Sequence, residues 1–481
     1  MLELLKGNEF ISQYFTWNPT LVPNWTGHII LMLGQMIFPA FIAEKILLVI
    51  YVLGLPVSFR FFLRTLDIGN WRLGSYFIFP FIYTFLFILG FYNYSLGLVL
   101  MFFFMGIWQR KKESLTWKDV FLFFLLFTFF YLTHLFVFVV FGLTIIIWNI
   151  NDFIIEKFES KNSGILVQKY MKRGLFLIVS ASFAIVIIVK QFLIGNEYVQ
   201  QANSRFQFSE LLDWLMKTRS IIVYNYSHEG KFGTILFVVF FFLALYILYS
   251  LFSSSKKKLT IRIVWFQMSI ILLALFFIVP NFIGGLGGHM SVRIMIVMHM
   301  FLITWFAVQQ FPKIISYSAV IISVIISLLL VLYYIRVTRS LNGDAILITQ
   351  SSVKMQHNTI VLPVEKSNYW LQNHFSNYLG IEKPLVILDN YEADSYGFPL
   401  IWNAKKMPHL VLAELSNNAS CINWPSGNSH SRQIDYLFIW GESSNYDECT
   451  RYIQGRISDT YDHVSQGEMS TKINIFTSKT K

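Results

Sequence analysis

The chain has 481 residues, of which 55% are hydrophobic, 18% aromatic and only 14% charged. That composition excludes a disordered chain and a single soluble core, and the length excludes a simple membrane anchor. The formal net charge is +11, which Lys and Arg gathered in cytoplasmic loops would explain. The sharper reading is a membrane lipid or lipid phosphate as anionic partner, and a nucleic acid is not expected.

Residues 1–20 lack a basic stretch followed by an apolar core, so no cleavable signal peptide is expected. Residues 25–39 are apolar, bounded by Pro23 and Pro39, and shorter than the roughly 18–20 residues a span requires. They predict an external helix lying in the membrane interface, with Trp17, Trp25 and His28 at headgroup level. Long Phe-rich apolar segments then run to about residue 335, and 120–130, 135–148, 175–189, 234–251 and 263–279 carry no charge. Spans are expected at 43–64, 73–90, 95–109, 118–132, 134–150, 174–194, 233–253, 261–280, 293–311 and 314–335. The basic clusters at Arg60/Arg64/Arg72, Arg110/Lys111/Lys112/Lys118, Lys157/Lys161/Lys169/Lys172/Arg173 and Lys256/Lys257/Lys258/Arg262 would be cytoplasmic. Segments 90–95, 133–134, 195–231 and 281–293 would be external, as would both termini after about ten crossings.

The expected fold is an α-helical polytopic membrane bundle of about ten spans plus one interfacial helix, with a C-terminal extracytoplasmic α/β domain. Its parts are an external segment at 1–42, the bundle at 43–336 and the mixed α/β domain at 337–481. Short β-type runs occur there at 359–364, 385–388, 410–415, 436–440 and 473–476. Both cysteines, Cys421 and Cys449, fall in this domain, and an oxidising compartment would permit a disulfide.

Four places carry candidate chemistry. In Gly90-Phe-Tyr-Asn-Tyr-Ser-Leu-Gly97, Asn93 or Ser95 would cap the next helix, or Asn93 and Tyr94 would donate hydrogen bonds to a phosphate or sugar at a cavity mouth. In 280–293, Gly287 and Gly288 belong to a glycine-rich loop that leads into a helix N-terminus, a setting that favours anions. His289 and Arg293 follow; Arg293 would bind an anion or, in the blander reading, snorkel to headgroups. His134 lies in apolar sequence, either as a buried hydrogen-bonded residue or facing a cavity. Tyr391 and Glu392, with Asp394, Tyr396 and Trp402, would contact a sugar or a cation, or pack a structural loop. No His/Cys pattern suggests a metal site and no Gly-x-Ser-x-Gly element suggests a serine hydrolase; a divalent cation is left open.

The order of an external amphipathic helix, about ten spans and an external α/β domain resembles the membrane-embedded glycosyltransferases of the GT-C type. Pro23-Asn-Trp-Thr-Gly-His28, Phe91-Tyr-Asn-Tyr-Ser-Leu-Gly97, Gly284-Gly-Leu-Gly-Gly-His-Met-Ser-Val-Arg293 and Asp389-Asn-Tyr-Glu-Ala393 are similar to stretches of bacterial membrane proteins of that kind. The resemblance implies an inner-membrane enzyme that moves a sugar from a polyprenyl-phosphate donor to an envelope acceptor. It also implies an acidic residue in the first external loop, after a first span. This chain departs there: before residue 60 it has only Glu3, Glu9 and Glu44, and no Asp. Either the acid lies upstream of Met1 or the protein is not an active transferase. Glu9 is the positional candidate for a base, and Glu44 suits a helix start. A non-catalytic protein that binds a lipid-linked glycan or scaffolds envelope assembly is the alternative. A transporter comes third, because no internal repeat is evident.

Overall fold

A computed structural model describes residues 1–67, 69–159, 163–194, 205–253, 263–282, 288–365, 367, 369–394, 397–403, 405–406, 434–441, 461–463 and 473–478. Gly287, Tyr396, Cys421, Cys449, the run 410–415 and the basic cluster at 256–262 lie outside the described residues. The chain divides into two compact units, one of Met1–Val22, Ile30–Glu44 and Ile335–Lys481, the other of Pro23–Ile29 and Lys45–Tyr334.

The helices in chain order begin with α1 (Leu2–Leu5), α2 (Glu9–Tyr14), α3 (Thr26–Gln35), α4 (Ala40–Leu66), α5 (Trp71–Gly74) and α6 (Phe85–Ile88). They continue with α7 (Tyr92–Lys111), α8 (Trp117–Thr133), α9 (Leu135–Glu159), α10 (Ser163–Ile194) and α11 (Phe208–Met216). The last are α12 (Tyr226–Ser253), α13 (Ile263–Ile278), α14 (Met290–Ala307), α15 (Lys313–Ser351) and α16 (Tyr391–Asp394). Among the described residues, six helices are long and apolar enough to cross a membrane: α4, α9, α10, α12, α14 and α15. They fall on six of the expected spans, whereas α8 and α13 have only 17 and 16 residues.

The expected span at 73–90 is not a continuous helix. Trp71–Gly74 passes into a 3-10 stretch, Ser75–Phe81, that contains Pro80, and a new helix starts where the Thr84 hydroxyl accepts from Phe87 N at 3.3 Å. Proline lacks the N–H and clashes with the preceding turn, so a straight apolar helix is disfavoured there. The break expected near 133–134 is present: His134 is extended (φ −164°, ψ 116°) between α8 and α9. Glu44 does not sit at a helix start, because α4 begins at Ala40 and has no acid in its first turn. The ten residues of α3 cover about 15 Å, too short for a hydrocarbon core of roughly 30 Å.

Burial distinguishes the long helices. In α14, 94% of the apolar window is buried, against 22% in α10 and 28% in α12. A helix apolar on every face belongs inside other helices. The outer helices expose Ile178, Val186, Phe242 and Tyr249, apolar surface that lipid tails would cover. Charges gather where α7 to α10 end. Lys169 pairs with Glu156 at 2.8 Å and Glu113 at 3.0 Å, Lys112 pairs with Asp152, and buried Arg173 pairs with Glu113 and donates to Lys112 O at 2.9 Å. Two of the basic clusters expected on one side of the membrane are thus joined, through the Arg173 bond to the Lys112 carbonyl and through Glu113, which follows Lys112 and pairs with Lys169 and Arg173. At the start of α12 the fully buried Glu229 accepts from Val223 N, Tyr224 N and Asn225 N, satisfying backbone donors of the segment ahead of the helix that lipid could not.

In the sheet-bearing unit the strands are β1 (Phe15–Trp17), β2 (Thr359–Glu365), β3 (Leu385–Ile387), β4 (Leu400–Trp402), β5 (Tyr436–Trp440), β6 (Tyr461–His463) and β7 (Ile473–Ser478). Five form a sheet in the order β3-β2-β5-β7-β6, with β2 parallel to β3 and β5, and β7 antiparallel to β5 and β6. Pro363 fits within β2 because β3 pairs only with Thr359–Val361. Alternation puts Ile360, Leu362 and Val364 on one face with Phe10, Ile11 and Tyr14 of α2. Val361, Tyr436 and Phe438 pack on the other with Ile348 of α15. β1 pairs antiparallel with β4, Phe15 opposite Trp402, so the N-terminal segment is built into this unit.

Two glycines test the packing of the helical unit. Gly69 has φ +67°, and a Cβ there would lie 2.3 Å from the Val308 carbonyl carbon, whereas one at Gly142 of α9 would meet nothing within 4 Å. Gly69→Ala is expected to cost on the order of 1–3 kcal/mol and lower the thermal midpoint, while Gly142→Ala leaves it unchanged or raises it. Equal midpoints for the two variants would contradict this packing.

Candidate functional site

Within the helical unit, four segments separate in sequence meet. Trp25 N donates to Leu132 O at 2.9 Å, and the Thr26 and Thr133 hydroxyls are 2.7 Å apart. Asn93 Oδ1 accepts from Gly27 N at 2.6 Å, and its Nδ2 donates to Asn24 O at 3.0 Å. Asn93 therefore pins the start of α3 and does not cap its own helix, whose N-cap is Phe91 without a side-chain bond. A Cβ at Gly27 would lie 3.1 Å from Asn93 Oδ1, so glycine permits the approach. His28 follows on the first turn of α3.

Tyr94, fully buried, donates its hydroxyl to Arg293 O at 2.9 Å and meets the His134 ring edge-on at 5.3 Å. His134 is buried, and its Nδ1 has no hydrogen-bond partner among the described residues. Arg293 in the first turn of α14 is 6% exposed, with its guanidinium over the Phe91 ring at 5.2 Å. The snorkelling expected in the blander reading does not occur, because α14 is enclosed by other helices. His289 is the N-cap of α14 in the left-handed conformation (φ 60°), next to Gly288, and packs edge-on against both Phe85 and Phe91 at 5.7 Å. Arg219 lies over Phe85 at 4.2 Å. Burial, then the charges of Arg293 and Arg219, lower the His289 pKa to about 4, so its imidazole is neutral at physiological pH.

The structure thus brings Asn93, Tyr94, His134, His289 and Arg293 into one neighbourhood, with Gly288 and His28 beside it. Glu9 belongs to the sheet-bearing unit, where it begins α2 with its side chain exposed. Tyr391 and Glu392 lie on α16 of the same unit.

Several polar residues escaped the sequence reading. Arg219 and Glu229 lie in or beside a segment that reads as a loop, and buried His299 of α14 contacts Ser220 Oγ at 3.1 Å and Met295 O at 2.8 Å through Nδ1. In the sheet-bearing unit, His374 Nδ1 is 2.9 Å from Asp389 Oδ1, and Ser376 donates to Asp389 Oδ2 at 2.8 Å. Burial lowers the His374 pKa, but the hydrogen bond and charge of Asp389, with Glu365, outweigh it and raise the value overall. Glu365, at the end of β2, is pushed up to about 7 by burial and by the Asp389 charge. The fourteen residues between His374 and Asp389 hid the pair. Among the described residues, no group of three or more His, Cys, Asp or Glu is placed to hold a metal ion.

Comparison with protein-family models, curated proteins and solved structures finds no match to this chain.

The Glu365 shift fixes a pH dependence. A carboxyl whose folded pKa is raised binds more protons folded than unfolded, so stability falls as pH rises from about 4.5 to about 7. His374 has the same sign, its contribution being lost as pH passes its raised folded value. Glu365→Gln is expected to raise the thermal midpoint at pH 8 more than at pH 5. Solvent screening of this partly exposed group holds the gain to on the order of 1 kcal/mol. Parallel midpoint-versus-pH curves for the two proteins would contradict the shift.

Proposed function

We propose that the Arg293 neighbourhood binds the phosphate of a lipid-linked sugar, and that the protein is a membrane glycosyltransferase using a polyprenyl-phosphate donor. The observation that carries this reading is the convergence of Arg293, Arg219, His289 and His134 on an aromatic, enclosed site at a helix N-terminus. Guanidinium groups recognise phosphate through charge-assisted bonds, the start of α14 favours an anion, and the Phe rings suit an isoprenoid. The segments read as external, at 90–95, 133–134 and 281–293, all contribute to this neighbourhood, which supports placing it on the extracytoplasmic side with about ten crossings. In this reading Arg293 stabilises charge on the departing lipid phosphate while a carboxylate activates the acceptor hydroxyl.

One observation favours a second reading. Segments 23–29, 85–94, 132–134 and 288–293 contain no Asp or Glu, and the carboxylate of Glu229, whose charge acts on Arg219, is engaged by three backbone N–H groups, which suits a protein that binds a lipid-linked glycan without transferring it.

Arg293→Ala is expected to weaken polyprenyl-phosphate binding about ten- to a hundred-fold, the loss of one charge-assisted contact of roughly 1.5–3 kcal/mol. Arg293→Lys should recover part, since a point charge replaces a planar fork. Because Arg293 is buried, each variant is measured in nanodiscs beside its thermal midpoint. Unchanged binding by a folded Arg293→Ala protein would overturn the site. Sugar release to water or acceptor by the wild type would separate the transferase from the binder.

A further inference from the structure

A second polar constellation lies in the sheet-bearing unit, at the carboxyl ends of its parallel strands. Glu365 is the last residue of β2, Asp389 follows β3, and His374 starts the 3-10 helix Phe375–Gly380 in the left-handed conformation (φ 66°). Open α/β sheets bind ligands in the crevice outside the carboxyl ends of their strands. Here that edge is laid out as a set of converging groups. Asp389 holds His374 through Nδ1 and Ser376 through its other oxygen, and Asn377 Nδ2 donates to His374 O at 3.1 Å. The imidazole is thereby fixed with Nδ1 toward Asp389, which leaves Nε2 as the nitrogen that a ligand would meet. Glu365 accepts from the His374 backbone, and its Oε1 is buried with no hydrogen-bond partner among the described residues. Beside the imidazole, at 4.7 Å between ring centroids, is the Tyr391 ring, which is 43% exposed.

We infer that His374, Asp389, Glu365 and Tyr391 form a binding site for a saccharide. The chemistry selects a neutral polyol over the alternatives. Two carboxyl side chains disfavour a phosphate, and among the described residues no three His, Cys, Asp or Glu side chains are arranged to hold a metal ion. Carboxylate oxygens accept hydroxyl protons, the imidazole Nε2 exchanges a hydrogen bond with a hydroxyl in either protonation state, and an exposed phenol ring offers a flat apolar face to the C–H side of a pyranose. This fixed hydrogen-bonding frame is held by Asp389, Ser376 and Asn377, so binding would require little reordering. The site belongs to the sheet-bearing unit and the Arg293 neighbourhood to the helical one, and it would exist whether the protein transfers a sugar or only binds one.

The test uses the full chain in nanodiscs and a panel of methyl glycosides of glucose, galactose, mannose and N-acetylglucosamine, followed by saturation-transfer NMR. At least one glycoside is expected to bind, with transfer strongest on the C–H face. Tyr391→Ala, an exposed position, should weaken that binding at least about five-fold, and His374→Ala at least about ten-fold. Saturating polyprenyl phosphate should leave it unchanged, which separates this site from the lipid-phosphate site. Absence of binding by every glycoside, or binding that survives Tyr391→Ala and His374→Ala alike, would overturn the proposal. So would stronger binding of inorganic phosphate than of any glycoside.

Discussion

The helical unit depends on the enclosure of α14. Its apolar side chains point to every side and nearly all are buried, so neighbouring segments must close around it. Enclosure then dictates how its polar groups are handled. Ser291, Thr304 and His299 are buried, and Thr304 and His299 contact backbone carbonyls one turn earlier. Arg293 is held against Phe91, and its own carbonyl accepts from Tyr94. A cation so placed carries a large desolvation cost, which makes such residues in apolar bundles functional candidates.

The sheet-bearing unit obeys a different constraint. Parallel strands buried on both faces need apolar side chains throughout, and β2 and β5 read that way. Polar chemistry is thereby confined to the strand ends, where Glu365, Asp389 and His374 occur. The N-terminal segment covers one sheet face through Phe10, Ile11 and Tyr14, while Glu9 stays exposed.

Much of this was legible in the sequence where local signals were strong. Uncharged Phe-rich runs marked α9, α10 and α12, and β-branched and aromatic runs marked β2, β5 and β7. The turn expected at 133–134 falls between α8 and α9. The broken stretch from Trp71 to Ile88 was misread because its apolar composition masked Pro80 and Thr84. Asn93 was read either as a cap for its own helix, with Ser95 as the alternative, or as a donor to a phosphate or sugar, and only tertiary structure reveals that it holds the start of α3. Pairs such as Phe15 with Trp402, or Arg219 with Phe85, leave no local trace at all. The candidate anion site was half visible: Arg293, His289, Tyr94 and His134 were named, but their convergence and Arg219 were not.

The central claim is that the Arg293 neighbourhood holds a lipid phosphate. The most direct measurement is photocrosslinking in nanodiscs with a polyprenyl phosphate that carries its photoreactive group beside the phosphate. The account predicts adducts concentrated in 23–29, 85–94, 132–134 and 288–293, displaced by unlabelled polyprenyl phosphate. Adducts confined to the lipid-facing surfaces of α10 and α12, and insensitive to competitor, would contradict it.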